Sequence, residues 1–415
     1  MTMIIKRDYY LQQLILSKSN NLIKIVTGIR RSGKSFLLFN LFHNHLIETG
    51  ISEDHIIEIA LDDRLNKNLR DPDVILQHIH ERIVDEKLYY IILDEVQMID
   101  EFTDVLNSLL HIRNADVYVT GSNSKFLSKD VVTEFRGRGD EIHLFPLSFA
   151  ELYNSIGGDK FELWKSYYTY GGLPGILELD SEKKKAAYLR SLHETVYLKD
   201  IIERNNLKNS EEFMELMRVM ASCIGSPCNP SKLENTFKSV KNETLDRKTI
   251  SKYLSYMEDA FLIEKSMRYD IKGRKYIGTL SKYYFQDIGL RNALLNFRQV
   301  EENHIMENVI YNELRLRGFC VDVGMVEART AKERKQLEVD FVANMADRRY
   351  YIQSAFAMPD DDKREQECAS LKKIDDSFKK IIIMRDDIKP YHDNNGFYIV
   401  GLMDFLLKPD LIEQL

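Results

Sequence analysis

The stretch Gly28-Ile-Arg-Arg-Ser-Gly33-Lys34-Ser35 constrains this chain more than any other. It follows the apolar run at 22–26 and precedes Phe36-Leu-Leu-Phe39, so a glycine-bounded turn lies between a strand pattern and a helix pattern. Glycines let the backbone curl until successive N–H groups converge, and the following helix presents the positive end of its dipole. Together they make a cradle for phosphate oxygens. The backbone of Gly28, Arg31, Ser32 and Gly33 would wrap the anion, Lys34 would neutralise its terminal phosphates, and the Ser35 hydroxyl would ligate Mg²⁺. A glycine turn with an incidental lysine needs no such neighbours on either side.

Further along, Tyr89-Tyr-Ile-Ile-Leu93 is a continuous apolar run of the kind a buried parallel strand requires, and it ends in Asp94-Glu95. Open α/β sheets bind ligands at that end of their strands. Asp94 is therefore expected to anchor Mg²⁺ and Glu95 to orient or deprotonate a hydrolytic water. Ile56-Ile-Glu-Ile-Ala-Leu61 fits another strand of the same sheet. The run Val117-Tyr-Val-Thr120 leads into Gly121-Ser-Asn-Ser124, where Asn123, with Ser122 beside it, is the candidate for contact with the attacking water and the γ-phosphate. Arg136 or Arg138 could serve as a finger on that phosphate, in cis or from a neighbouring subunit.

With 415 residues the chain is long for one core. Its 44% hydrophobic and 30% charged residues are those of a soluble globular protein. No apolar run is long enough to span a bilayer, and charges at Lys6, Arg7 and Asp8 stand where a signal peptide needs an apolar core, so a cytoplasmic protein is expected. Four cysteines, Cys223, Cys228, Cys320 and Cys368, are too few for a disulfide framework and lack zinc-site spacing. A net charge of -7 argues against a uniformly basic nucleic-acid coat and leaves room for a local basic face.

As a set, Gly28–Ser35, Leu93-Asp-Glu95, Thr120-Gly-Ser-Asn-Ser124, Arg136-Gly-Arg138, Pro146-Leu-Ser-Phe149 and Tyr170-Gly-Gly-Leu-Pro174 resemble bacterial and archaeal AAA-type ATP-binding proteins. That group is related to the STAND class of signal-transducing NTPases. The six motifs fall in the family's order, and the resemblance covers nearly the whole chain. The resemblance implies that Ser122 or Asn123 is the sensor position, that Arg138 is the likelier arginine, and that Tyr170–Pro174 belongs to a helical lid after the nucleotide domain.

From Ser210 the periodicity is helical, and in the last helix of this region Ile250, Leu254 and Met257 fall on one side. Arg247, Lys248, Ser251, Lys252 and Ser255 fall on the other. A strand-like run to Tyr269, a Lys272-Gly-Arg274-Lys275 turn and Lys282-Tyr-Tyr-Phe285 follow, which together spell a winged helix. Its basic side chains could meet double-stranded DNA, or the module could serve protein interaction with a solvated charged face.

Beyond residue 300 a helix carrying Glu307 is followed by strand patterns around Asp340, Gln353 and Met384. This resembles the restriction-endonuclease-like fold, whose active members gather a helix Glu, a strand Asp and an E-x-K around Mg²⁺. Glu307 and Asp340 match; Gln353 and Ala355 stand where the metal-binding Glu and the Lys belong. A neutral amide is a poor Mg²⁺ ligand and alanine cannot stabilise a leaving charge, so the scaffold is expected to be catalytically silent. A rescuing carboxylate would have to come from Glu338, Glu365 or Glu367.

The expected fold is therefore α/β, with a P-loop NTPase parallel sheet in residues 1–150, a helical lid in 151–207, a winged helix in 208–298 and a restriction-endonuclease-like domain in 299–415. The expected function is a Mg·ATP-binding ATPase acting as a nucleotide-dependent switch, with an ATP-regulated DNA-binding protein or nuclease as the alternative. ATP, Mg²⁺, double-stranded DNA, a protein partner and a second copy of the chain are the candidate ligands and partners.

Overall fold

The computed structural model describes residues 4–121, 138–241, 245–329, 334–358 and 360–414. The chain divides into two compact units, the first made of Met1–Leu147, Leu173–Glu178 and Asp259–Phe261, the second of Ser148–Gly172, Leu179–Glu258 and Leu262–Leu415. Among the described residues no helix is long and apolar enough to cross a membrane.

In the first unit, strands β1 (Ile23–Thr27), β2 (Ile56–Ala60), β3 (Tyr89–Asp94), β4 (Ala115–Thr120) and β5 (Gly139–His143) form one sheet in the order β2-β3-β4-β1-β5. Every pairing is parallel. Side chains alternate between its two faces. Ile23, Ile25, Ile57, Ile59, Ile91, Leu93, Val117 and Val119 enter one core, and Val26, Ile56, Tyr90, Ile92, Tyr118 and Ile142 enter the other. Helices cover both faces, which is why the strands read as largely apolar runs, the buried charges of Lys24 in β1 and Asp116 in β4 being paired with each other. The helix Asp8–Leu16 contributes Tyr10 and Leu14, and the helix after the P-loop contributes Leu37, Leu38 and Phe42. That latter helix opens as Lys34–Phe36, continues as a π-helical stretch Leu37–Phe42 and ends as His43–Glu48.

The expected 1–150 boundary falls three residues late. Ser148 is the N-cap of the helix Phe149–Ile156, in a capping box with Glu151, and it belongs to the second unit. The Tyr170–Pro174 motif is itself divided, since Gly172 ends one segment of the second unit and Leu173 begins a segment of the first. Within the second unit the two glycines are required by close approach. Gly171 has φ +76 and a Cβ there would meet the Asp287 carboxylate at 2.5 Å, while Gly172 N donates to Asp287 Oδ2 at 2.8 Å.

The second unit carries helices Ser210–Ser222, Pro230–Thr236 and Arg247–Asp259, the last counted up to Glu258, followed by the hairpin β6 (Ile263–Asp270) and β7 (Lys275–Phe285). After the helix Glu302–Leu316 come β8 (Cys320–Arg329), β9 (Arg334–Met345), β10 (Arg348–Ala355), β11 (Lys379–Met384), β12 (Tyr391–His392) and β13 (Tyr398–Gly401). The hairpin does not stand apart as a wing. It closes one edge of an eight-stranded sheet in the order β12-β13-β11-β10-β9-β8-β6-β7, with β6 parallel to β8. The expected boundary at 298/299 therefore crosses one continuous sheet. The helix Glu302–Leu316 packs Ile305, Met306, Val309 and Ile310 against Tyr284, Phe341 and Ile352 in one core of this unit.

Candidate nucleotide site

Three residues of the P-loop adopt positive φ, Gly28 at 137, Arg31 at 66 and Gly33 at 97. At Gly28 glycine is mandatory twice over, because a Cβ would also run into the Leu144 carbonyl oxygen, where β5's continuation is zipped to β1 by Leu144 N donating to Thr27 O at 2.8 Å. Lys34 is 5% exposed, and its Nζ donates to the carbonyls of Gly28 at 3.0 Å and Ile29 at 3.1 Å. Burial pulls its pKa down to about 8, with Glu95 and Asp94 acting against that fall.

The two ends of the sheet's central strands meet through one carboxylate. Ser35 Oγ donates to Asp94 Oδ2 at 2.7 Å, and Thr120 Oγ1 donates to Asp94 Oδ1 at 2.5 Å. The Glu95 backbone N–H in turn donates to Thr120 Oγ1 at 2.9 Å. This convergence follows from strand order, since β4 lies between β1 and β3 and delivers Thr120 between the P-loop and Asp94. Burial raises the Asp94 pKa, and the hydrogen bonds from Thr120 and Ser35 oppose the rise. Glu95 sits at φ 54, a left-handed conformation uncommon for glutamate, and accepts a hydrogen bond from Gln97 Nε2.

Beside Gly33 a cavity of about 580 Å³ is lined by Ile5, Arg7, Phe36, Leu147, Pro174 and Leu177, among others. Its volume lies within the range of small-molecule pockets, and its walls are largely apolar. Arg7 holds the wall in place, donating to Phe145 O at 2.7 Å and Ser32 O at 3.3 Å with its guanidinium 4.6 Å from the Tyr10 ring centre. The residues present suit Mg·ATP. The curled loop with Lys34 beneath it, a hydroxyl and carboxylate side by side, and an apolar slot adjoining the loop match phosphates, metal and base in turn.

Sequence reasoning named Gly28, Arg31, Ser32, Gly33, Lys34, Ser35, Asp94 and Glu95, and the structure gathers them at one end of the sheet. It gave no site role to Thr120 or to the Ile5, Arg7, Leu147 and Leu177 wall. The signal for Thr120 was present, a hydroxyl at the last position of a strand next to the acidic one. Asn123, Ser122 and Arg136 lie outside the described residues. Arg138 lies elsewhere. Its carbonyl accepts Ile23 N at 2.9 Å, at the start of β1, and its guanidinium donates to Asn107 at 3.3 Å. The P-loop follows the other end of β1, a five-residue strand spanning about 16 Å. That placement sets Arg138 apart from the P-loop end of β1.

In the second unit the expected outer face is exposed at Arg247, Lys248, Ser251, Lys252 and Ser255, and Lys272, Arg274 and Lys275 are exposed at the hairpin turn. Glu307 and Asp340 do come together, around a residue the sequence did not single out, Lys282 of β7. Of the remaining set, Gln353 Oε1 is buried without a hydrogen-bond partner, and Ala355 packs in an apolar cluster with Tyr351, Leu371 and Met384.

Residues 20–153 match the family described as AAA domain, and residues 161–301 match a domain of unknown function, DUF8612. An uncharacterized protein of Haemophilus influenzae is 34% identical over 414 residues, covering 98% of this chain and 99% of that protein. The chain belongs to that protein's family, with an AAA domain in its first half. A second relative of this AAA protein, an uncharacterized protein of Methanocaldococcus jannaschii, is 29% identical over 390 residues, 88% of this chain and 83% of that one. Among solved structures, the ORC1 protein of Aeropyrum pernix in complex with DNA covers 71% of this chain and 93% of that chain at 13% identity and a TM-score of 0.31, too loose a likeness to carry an argument. Within the AAA match lie the P-loop, Asp94, Glu95 and Thr120.

Proposed function

We propose that this AAA protein binds Mg·ATP in its first unit, hydrolyses it slowly and uses the nucleotide state as a switch acting on its second unit. One observation carries the reading, the single buried carboxylate of Asp94 accepting from both Ser35 and Thr120 beside Lys34. Lys34 would exchange its two carbonyl partners for the β- and γ-phosphates. Ser35 and Asp94 are the residues that would hold Mg²⁺, which when bound draws charge from the phosphate oxygens. Glu95 would orient a water and take its proton, its backbone fixed by Thr120. Asn123 is retained as the residue that would report the γ-phosphate. Arg138 is retained only as a finger donated to a second copy of the chain, which makes a homo-oligomer part of the proposal.

The second reading is a DNA-binding protein regulated by ATP, supported by the exposed row Arg247, Lys248 and Lys252 and by Lys272, Arg274 and Lys275. ATP hydrolysis by the purified protein, with and without double-stranded DNA and against Glu95→Gln, tests both. Loss of turnover in Glu95→Gln supports the ATPase assignment, and unchanged turnover sinks it. Stimulation by DNA that disappears in a Lys248/Lys252/Arg274 charge-removal variant favours the second reading, whereas indifference to DNA favours a protein partner.

A further inference from the structure

We infer that Lys282 is the resident cation of a neutralised carboxylate centre in the second unit, its ammonium group occupying the place between Glu307, Glu338 and Asp340 that a divalent metal ion would otherwise take. The inference does not depend on the nucleotide reading. Lys282 Nζ lies 2.8 Å from Glu307 Oε1, 2.8 Å from Glu338 Oε1 and 3.8 Å from Asp340 Oδ1, with the lysine side chain 2% exposed. An ammonium has three donors and no acceptor; Glu307 and Glu338 lie within hydrogen-bond distance of it, and Asp340 faces it as a third, more distant carboxylate.

The surrounding structure builds this arrangement from distant parts of the chain. β9 pairs Val342 with Asp322 and Val339 with Gly324, so Asp340 and Phe341 together stand opposite Val323, a bulge that re-aims the strand where Asp340 leaves it. Ser354 N donates to Asp340 Oδ2 at 2.9 Å, and Tyr284 OH donates to Glu307 Oε1 at 2.7 Å. A loop seals the helix side. Glu307 Oε2 lies 3.0 Å from the place a Cβ on Gly225 would occupy. That loop is pinned to β7 by paired backbone hydrogen bonds of 2.8 and 2.9 Å between Cys228 and Ser281, the residue before Lys282.

Charge agrees with this geometry. Burial alone would lower the Lys282 pKa, but Glu307, Asp340 and Glu338 outweigh it and hold the lysine above its ordinary value. Burial and then Glu307 raise the Asp340 carboxyl, and Lys282 opposes that rise. A metal exchanges with solvent and a tethered ammonium does not. The acids that survive in the nuclease-like pattern thus tie β7, the helix Glu302–Leu316 and β9 together, instead of binding Mg²⁺.

The test titrates Mn²⁺ into the full chain without nucleotide, read by electron paramagnetic resonance, for wild type, Lys282→Ala, Asp340→Asn and the Lys282→Ala/Asp340→Asn pair. Lys282→Ala should gain one equivalent of Mn²⁺ bound at least tenfold more tightly than any wild-type site, and the pair should lack it. A Mn²⁺ site in wild type that Asp340→Asn abolishes overturns the proposal, as does a folded Lys282→Ala that gains none. Removing one member of a buried ion cluster is strongly destabilising, so a second arm covers loss of folding. Lys282→Met should lower the urea midpoint, and adding Glu307→Gln and Asp340→Asn to it should raise that midpoint again. A triple variant less stable than Lys282→Met alone would refute the counter-cation role.

Discussion

Thr120 Oγ1 stands between Asp94 Oδ1, to which it donates at 2.5 Å, and the Glu95 amide, from which it accepts at 2.9 Å. One hydroxyl thus fixes both carboxylate-bearing residues at the tip of β3. Thr120→Val leaves a buried acceptor and a buried donor without their partner, at a cost of about 1–3 kcal/mol each. It should lower the melting temperature and reduce kcat about tenfold or more, while Thr120→Ser restores both. Thermal unfolding and steady-state ATP hydrolysis on the same preparations check this, and a Thr120→Val protein with wild-type kcat contradicts it.

Lys34→Ala and Glu95→Gln should separate binding from chemistry. The first removes the cation beneath the loop and should abolish nucleotide binding by calorimetry. The second keeps the loop intact and should retain binding within a few-fold while turnover falls about 10²–10⁴-fold, the usual contribution of a positioned base.

The apolar slot beside Gly33 predicts a split between base and phosphate recognition. Leu177→Asp places a charge against the slot's wall, and a buried leucine contact is worth about 1.5–3 kcal/mol, so ATP affinity should fall about 10–100-fold. Inorganic tripolyphosphate, which has no base, should bind the variant as it binds wild type. Equal losses for both ligands would remove the slot from the nucleotide site.

His193 supplies a pH dependence. Its Nε2 is buried without a hydrogen-bond partner, and burial first, then Arg218, pulls its pKa down to about 4. The unfolded chain takes up a proton below its ordinary value near 6.5 that the folded chain refuses until about 4, so stability should fall as pH drops through that window. The full loss is about 3 kcal/mol. Nuclear magnetic resonance should find His193 neutral at pH 5, and His193→Phe should flatten this part of the acid-side decline in melting temperature. A His193 resonance titrating near 6.5 would show that the burial argument fails.

The parts of this protein that were legible in its sequence are those written in local pattern. Apolar runs, unbroken only in β3 before its terminal Asp94, announced β1, β3 and β4, and the glycine spacing announced the loop that uses positive φ at Gly28 and Gly33. Lys282 was not legible in that way. It sits in an ordinary-looking strand end, and only the register of β7 against β6, the approach of the helix carrying Glu307 and the bulge at Asp340 bring the carboxylates around it. The hairpin was legible as a hairpin, but its pairing with β8 was not, because strand period says which residues share a face and nothing about which neighbour the edge will choose. Thr120 escaped because a threonine at a strand end is common until strand order places it between the two sites it joins.

The strip Leu173–Glu178 supplies part of the wall of the slot, and the chain on either side of it continues into the second unit. A protease cut on one side of the strip would leave it held by a single tether, and a cut on both sides would release it as a peptide. Excising residues 1–147 as an independent ATPase would therefore discard a piece of the slot's own wall. The nucleotide fold of this protein is discontinuous in the gene, and the codons that complete it lie beyond its apparent end.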